Sequence, residues 1–559
     1  MFTRHFAYWP KRVPRTLTVP RTPIHDNLAV SARRYPDKAA IYYYGRQISF
    51  RELHAEVEAL AGYLQQALGV KRGDRVALYM QNSPQFVVAY YAILRADAVV
   101  VPLNPMLVAN ELPFYFEDSG ARVAVVGQEL VDRVRPLVET GAIDKAIVAC
   151  YRDALPPEPA HRVPDVVAAP AVPLDHPALV PWSQALTSGL APRPSEVSAD
   201  DLAVIPYTSG TTGVPKGCMH THRTVQANIV CAAVWNGVTP DGVALSTLPF
   251  FHVTGMEHSM NAPIYCGNTF AILTRWDRET AAELIEKLRV THWTNIATMV
   301  VDFLANPRIE SYDLSSLMVV GGGGAALPKA VGERLKALTG LDYVEGYGLS
   351  ETIAQTHTNP PDRAKLQCAG IPLFDVDARI VDPETLAELG PGEEGEILVC
   401  GPQVFLGYWN RPEENEKAFV EIDGKRFFRT GDLGRYDEEG YFFIVDRIKR
   451  MINASGFKVW PTEVESILYK HPAVEQACVV GVPDPRRGET VKAFIILKQD
   501  QRGAVTAEDI IAWAHEQMAA YKCPREIEFV DSLPMSGSGK ILWRVLQEEE
   551  RKKRQVASP

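Results

Sequence analysis

Apolar positions along this chain alternate between two rhythms. From Ile24 to about Val148, helical and strand-like patterns follow one another. Phe50 to Leu68 repeats its apolar residues at helical spacing, whereas Arg75-Val76-Ala77-Leu78-Tyr79 is a short apolar run suited to a buried strand. The Pro- and Ala-rich stretch from Asp153 to Ser198 reads as a long surface excursion. Ala203-Val204-Ile205-Pro206 then predicts a short strand, and Thr221 to Val234 the helix that follows. Ala281 to Leu288 is helical by pattern, and Leu317-Met318-Val319-Val320 is a strand that the glycines Gly321 to Gly324 end. Strand-then-glycine units deliver backbone amides to the mouth of a parallel sheet, where ligands commonly bind. After a strand at Tyr441 to Val445, a new alternation begins over Glu463–Tyr469, Ala477–Val482, Val491–Leu497 and Glu508–Met518.

The pattern predicts an α/β protein: an arm over 1–23, a large multi-layer N-terminal α/β domain over 24–446, and a small mobile α+β C-terminal domain over 447–559. The charged run from Glu548 to Arg554 reads as a solvated or frayed tail. A chain of 559 residues has ample material for such a core. Lys and Arg number 58 against 68 Asp and Glu, a net charge of -10, which gives no support to a nucleic-acid partner. The eight cysteines form no C-x-x-C pair, consistent with free thiols in a reducing cytosol, and the N-terminus lacks the apolar core of a secretory signal, so a cytoplasmic location is expected. The arm mixes Arg4, Lys11, Arg12, Arg15 and Arg21 with Phe2, Phe6, Tyr8 and Trp9. Either it makes weak peripheral contact with anionic lipid or it lies along the protein's own surface.

Chemistry concentrates in Tyr207-Thr208-Ser209-Gly210-Thr211-Thr212-Gly213-Val214-Pro215-Lys216-Gly217. Glycines let backbone N–H groups approach phosphate oxygens, hydroxyls add donors, and Lys216 adds a mobile positive charge. The loop is not a Walker loop, because Pro215 stands where that motif needs glycine. Downstream follow Pro249-Phe250-Phe251-His252, Gly321 to Pro328, Tyr347-Gly348-Leu349-Ser350-Glu351, Thr430-Gly431-Asp432, Asp446-Arg447-Ile448-Lys449, Ser455-Gly456-Phe457 and Ser538-Gly539-Lys540.

In this order and at these separations the motifs resemble those of the adenylate-forming superfamily, which includes acyl-CoA synthetases, adenylation domains and luciferases. The resemblance spans about Ile24 to Leu546. It implies ATP, Mg2+ and coenzyme A, with Thr208, Ser209, Gly210, Thr211, Thr212 and Lys216 around the phosphates and Glu351 with Thr212 at the magnesium. It places Gly324, Ala325, Ala326, Glu345, Gly346, Tyr347 and Gly348 around the nucleotide, with Tyr347 offering a flat ring to the adenine. Ser350 stands where the family more often has Thr, and its hydroxyl keeps a phosphate contact plausible. Asp432 matches the ribose-binding carboxylate, and Arg447 an arginine near the same sugar and phosphate.

Three catalytic positions are implied: Lys540, bridging the carboxylate and the α-phosphate; Glu351; and His252, between acyl pocket and nucleotide. By the same resemblance the small domain rotates about Lys449, and Gly456 lets the pantetheine arm pass. Asn453 and Ser455 replace lysines of some relatives, and Arg275 is either a CoA-phosphate ligand or a plain surface arginine. The acyl pocket is expected near His252, Thr254, Met256 and Gly322 to Ala326. The implied activity is an ATP-dependent acyl-CoA ligase acting on a carboxylic acid, a medium- or long-chain fatty acid first and an aryl or branched short-chain acid second; a homodimer is compatible with it. The rivals are an adenylate-transferring enzyme that loads a carrier protein and a non-catalytic sensor. No carrier domain follows Lys540, and every position that catalysis needs is filled.

Overall fold

The computed structural model describes residues 1–208, 214–454, 457–484, 488–535 and 541–556. Four sheets organise them. The first runs Leu179–Pro181, Lys145–Ala149, Val123–Gly127, Arg75–Tyr79, Val99–Pro102, Leu202–Val204 and His220–Thr221, parallel except for its last pair. The second has Thr269–Ile272, Val243–Ser246, His292–Asn295, Val319–Gly323 and Val344–Leu349 as a parallel centre, flanked by Ala354–Thr358 on one side and Ala39–Tyr43 on the other. Both have strands rich in Val, Ile and Ala, as strands buried on two faces require. One core cluster joins Val76 and Val100 of the first sheet to Ala244, Phe270 and Trp293 of the second. The helix Pro84–Arg95 belongs to that cluster and is buried from Pro84 to Leu94, which explains why it carries apolar residues all round.

An antiparallel sheet of Asp377–Val381, Gly395–Cys400, Lys425–Tyr436, Phe419–Ile422 and Phe442–Arg447 follows. The last sheet contains Phe457–Val459, Ile452–Ala454, Gly488–Leu497, Val474–Asp484 and Glu526–Phe529. Its two apolar clusters draw only on residues from Ile452 onward, so this segment has a core of its own.

Three expectations change. The Asp153–Ser198 stretch is not only an excursion: Leu179–Pro181 adds an edge strand, and Trp182 is buried behind it. Pro181 ends that strand at the sheet edge, where a missing N–H does no harm. The glycines after Val320 do not end their strand, which runs Val319–Gly323. The charged tail is solvated at Glu548, Glu549, Arg551, Lys552 and Lys553, as expected, but its described residues are helical and not frayed. It belongs to the helix Trp543–Val556, in which Glu550 is buried and accepts from Lys492, whose ammonium also meets Glu528. Charge-run reasoning fails only for Glu550, because that face of the helix meets complementary charge on the sheet. The N-terminal arm lies on the protein's own surface: Phe2 meets Tyr436 and Phe442 edge-on, and Trp9 packs against Trp235 and Phe374. No helix among the described residues is long and apolar enough to cross a membrane.

Breaking a buried charge pair leaves an uncompensated partner, so Glu550→Ala should loosen the terminal helix. Amide exchange in 543–556 is expected to quicken about tenfold or more, with the Arg75–Tyr79 strand unchanged. Equal exchange in both proteins would mean that the pair does not hold the helix.

Candidate functional site

The C-terminal ends of the parallel strands build the site. Gly321 and Gly322 lie where neighbouring backbone is so close that a Cβ would come within 2.3 Å of the Val344 carbonyl oxygen and 1.9 Å of that of Asn295. Glycine is therefore required by strand packing itself, and the same bare backbone leaves open space on the face that a ligand uses. Gly348 is equally constrained, since a Cβ there would sit 1.6 Å from the Ala354 carbonyl oxygen.

Beside Gly346 and Gly348, the Tyr347 hydroxyl donates to Asp432 Oδ2 at 2.5 Å. Asp432 pairs in register with Arg447 across antiparallel strands, and Arg447 Nε meets its Oδ1 at 2.5 Å. Burial and the neighbouring Asp432 carboxylate push the Tyr347 phenol well above its ordinary pKa, so it remains a donor, while Asp432 also raises that of Arg447. An aromatic face, a buried carboxylate and a guanidinium thus share one corner, a geometry suited to a base, a diol and a phosphate.

The phosphate-loop candidates are held by a narrow stem. Thr208 N donates to the Lys216 carbonyl at 2.9 Å, Lys216 N donates to Thr208 Oγ1 at 3.3 Å, and Tyr207 bridges to Gly217. Ser209, Gly210, Thr211 and Thr212 lie outside the described residues, as do Gly456 and Lys540. Beyond the stem, Lys216 Nζ pairs with Glu414 and stands 4.2 Å from the centroid of the Tyr408 ring. The Tyr408 hydroxyl donates to Glu351 Oε1 at 2.8 Å. One tyrosine therefore brings the loop's lysine and the candidate magnesium carboxylate together. Sequence reasoning missed Tyr408 and Asp118, which accepts from Tyr207, Arg411 and Trp409. Both pairings join positions far apart in the chain, and no local pattern signals them.

Among the described residues no cluster of three or more His, Cys, Asp or Glu side chains could hold a metal. Glu351 alone still fits magnesium, which is commonly held by one or two carboxylates plus substrate phosphates. Ser350 lies in the same turn, its carbonyl accepting from His220 Nε2 at 2.7 Å.

A cavity of about 360 Å³ leads inward from this corner. Gly321 to Gly324, Ala325, Gly346, Tyr347 and Gly348 line its mouth together with His252, whose Nδ1 accepts from Thr254 N at 3.4 Å. It then descends past Thr294 and Trp293 to Ala244, His292 and Val319, which occupy one level of three paired strands. From Val319 to Gly323 a strand advances roughly 13 Å, so the cavity is a deep slot along the sheet. Thr254, His258, Ala262 and Pro263 form its opposite wall.

Two expected wall residues are elsewhere. Met256 is fully buried in the core, because two residues past Thr254 a helix points the other way. Ala326 is off the cavity wall as well. Glu345 also faces away from the expected nucleotide: its Oε1 accepts from Gln367 N at 2.8 Å and Leu327 N at 3.4 Å, and it braces the loops behind the strand.

Lys449 sits between two anchors. Arg447 is tied to Asp432 on one side, and Arg450 on the other is tied to Glu465 and donates to Thr462 Oγ1 at 3.2 Å. Burial lowers the Lys449 pKa, with Lys216 adding to the effect.

Burial raises the Glu345 carboxyl from 4.5 to about 7. Between those values the unfolded chain releases a proton that the folded protein retains, so stability falls as pH rises through the window and levels off above it. Glu345→Gln should remove that fall, at most roughly 1.4 kcal/mol per pH unit, in urea unfolding followed from pH 4 to 8. Parallel wild-type and variant curves would show that Glu345 does not titrate there.

Residues 28–409 match the family described as AMP-binding enzyme, and residues 463–540 match the AMP-binding enzyme C-terminal domain. The chain is 38% identical to a long-chain-fatty-acid–CoA ligase of Bacillus subtilis (strain 168), over 97% of each chain. It is 36% identical to a feruloyl-CoA synthase of an Amycolatopsis species, over 91% of this chain and 96% of that one. The crystal structure of ATP-bound MatB from Rhodopseudomonas palustris superposes with a TM-score of 0.83 at 29% identity, covering 96% of this chain and all of that one. With the glycine-lined mouth, the Tyr347–Asp432–Arg447 corner and matches over most of its length, the chain belongs to the AMP-binding enzyme family.

Proposed function

We propose that the protein is an ATP-dependent acid–CoA ligase that activates a medium- or long-chain fatty acid to its acyl-adenylate and then to the CoA thioester. The observation that carries this reading is the deep, largely apolar slot opening directly beneath the Tyr347–Asp432 corner. An extended alkyl chain fills a long slot, and its carboxylate is left at the mouth, beside the place where ATP would lie. The name of the Bacillus subtilis relative supports the same substrate class. A second reading, an aryl acid, is favoured by the feruloyl-CoA synthase relative; a compact ring would leave the deep end of the slot empty.

In this reading Asp432 accepts from the ribose hydroxyls and Tyr347 lies against the adenine. Lys216 and Arg447 offset the negative charge that repels an incoming carboxylate from the α-phosphate. Glu351, oriented by Tyr408, would hold magnesium, which supplies charge neutralisation at the departing pyrophosphate. Lys540 enters to bridge the carboxylate and the α-phosphate in the first half-reaction. Rotation about Lys449 then brings Gly456 to the opening through which the thiol of CoA reaches the carbonyl carbon. His252 closes the mouth between the acyl chain and the nucleotide.

Pyrophosphate exchange across a panel of acids tests the proposal: exchange is expected with aliphatic chains and should weaken with aryl acids. Exchange with aryl acids alone would replace the fatty-acid reading by the second one. Lys540→Ala should lower exchange by about a hundredfold or more while sparing CoA capture of supplied acyl-adenylate. Equal loss in both half-reactions would contradict the role given to Lys540.

A further inference from the structure

The slot has one wall that is not built for a plain hydrocarbon. Val253–Met256 is α-helical, Glu257–Asn261 forms a π turn, and Ala262–Cys266 is α-helical again. Single π turns inside α-helices are frequently found at functional sites. In an unbroken α-helix, positions four apart drift by about 40° at each step. The wider turn counters that drift, and Thr254, His258 and Ala262 all remain on the cavity wall.

The π turn is locked by polar groups on its far side. Asn261 Nδ2 donates to Glu257 Oε1 at 3.1 Å, and Asn261 Oδ1 accepts from the Tyr91 hydroxyl at 2.9 Å. Burial raises the Glu257 carboxyl well above its ordinary value, so this wall is held by neutral hydrogen bonds with no net charge.

His258 occupies the near side. Its imidazole lines the slot and makes no hydrogen bond to any described residue. Of the other imidazoles on the wall, His292 bonds through both ring nitrogens, to Thr291 Oγ1 at 2.7 Å and the Asn236 carbonyl at 2.8 Å, and His252 Nδ1 accepts from Thr254 N, while the Gln355 amide meets Cys231 and Thr358. Burial lowers the His258 pKa to about 4. At neutral pH the ring is uncharged and presents one donor and one acceptor to the interior of the slot. A buried polar group left without a partner is costly, and an alkyl chain lying against it supplies none.

We propose that His258 is a specificity-determining residue that reads an oxygen function on the acyl chain, so that the preferred substrate is a hydroxy or oxo aliphatic acid. This rests on the fatty-acid reading above and narrows it. The neutral imidazole accepts from a hydroxyl or donates to a keto oxygen. His258 lies one turn beyond Thr254, roughly 6 Å deeper along the wall, while Ala262, Pro263 and Val238 continue past it. The oxygen therefore sits within the chain, not at its end.

The test is a positional series of hydroxy- and oxododecanoic acids against dodecanoic acid, scored as kcat/KM for adenylate formation in the full-length enzyme. The expected result is a preference of at least tenfold for oxygen at one or two adjacent interior carbons, because a site built to bond an oxygen discriminates against the chain that lacks it. His258→Leu should reverse the preference by favouring the plain chain, and His258→Gln, which keeps a donor and an acceptor, should retain it. Activity with a flat profile across the wild-type series would overturn this inference and leave the ligase reading intact. A preference that survives in His258→Leu would assign the recognition to another residue and overturn it too. Absence of exchange with every acid would overturn the ligase reading and this inference together.

Discussion

A carboxylate buried between a phenol and a guanidinium is the constraint on which the site depends. Asp432 is almost wholly inaccessible, and an ionised carboxylate in such a place is tolerated only when paired and hydrogen-bonded. Tyr347 supplies one bond from the parallel sheet, and Arg447 supplies the other from the neighbouring antiparallel strand. The pairing fixes the strand carrying the tyrosine against the strand carrying the carboxylate. It also fixes where the chain leaves for the small domain, since Ile448 to Arg450 follow directly and Arg450 is captured by Glu465. The corner of the site and the exit of the chain toward the small domain are consequently set by the same three side chains.

A second constraint is the bareness of the glycine strand. Gly321 and Gly322 are needed because Val344 and Asn295 press their carbonyls against the strand on either side. The cavity therefore follows from strand packing without requiring a separate lining. A side chain at either glycine would push the strands apart and fill the mouth of the slot, coupling stability of the sheet to access for the carboxylate. The N-terminal arm contributes from behind. Phe2 packs on Phe442, the Phe442 ring lies 4.5 Å from that of His357, and the His357 ring lies 5.7 Å from that of Tyr347, a continuous row of rings behind Tyr347.

Much of this was legible in the residues. The strand Arg75–Tyr79 and the helices near Phe50 and Ala281 follow from apolar period alone. Of the residues that the motifs single out, Tyr347 and His252 line one cavity, and Tyr347 bonds to Asp432, which pairs with Arg447. What escaped was decided by distant partners. The charge run ending at Arg554 is exposed for most of its length, but the burial of Glu550 within it follows only once Lys492 is placed beside it. Glu345 sits inside a nucleotide motif, yet its carboxyl is taken by the backbone N–H groups of Gln367 and Leu327, from loops distant in sequence. Met256 stands two residues from a true wall position, and helical phase alone removes it. Tyr408 has no local signal, because its role comes from Lys216 and Glu351 meeting on its ring.

The most direct measurement is a crystal structure of the enzyme with its acyl-adenylate bound. The account predicts the ribose hydroxyls on Asp432, the adenine against Tyr347, and the acyl chain running down the face of the Val319–Gly323 strand past His258. An acyl group lying outside that slot, with the slot closed or filled by side chains, would contradict it.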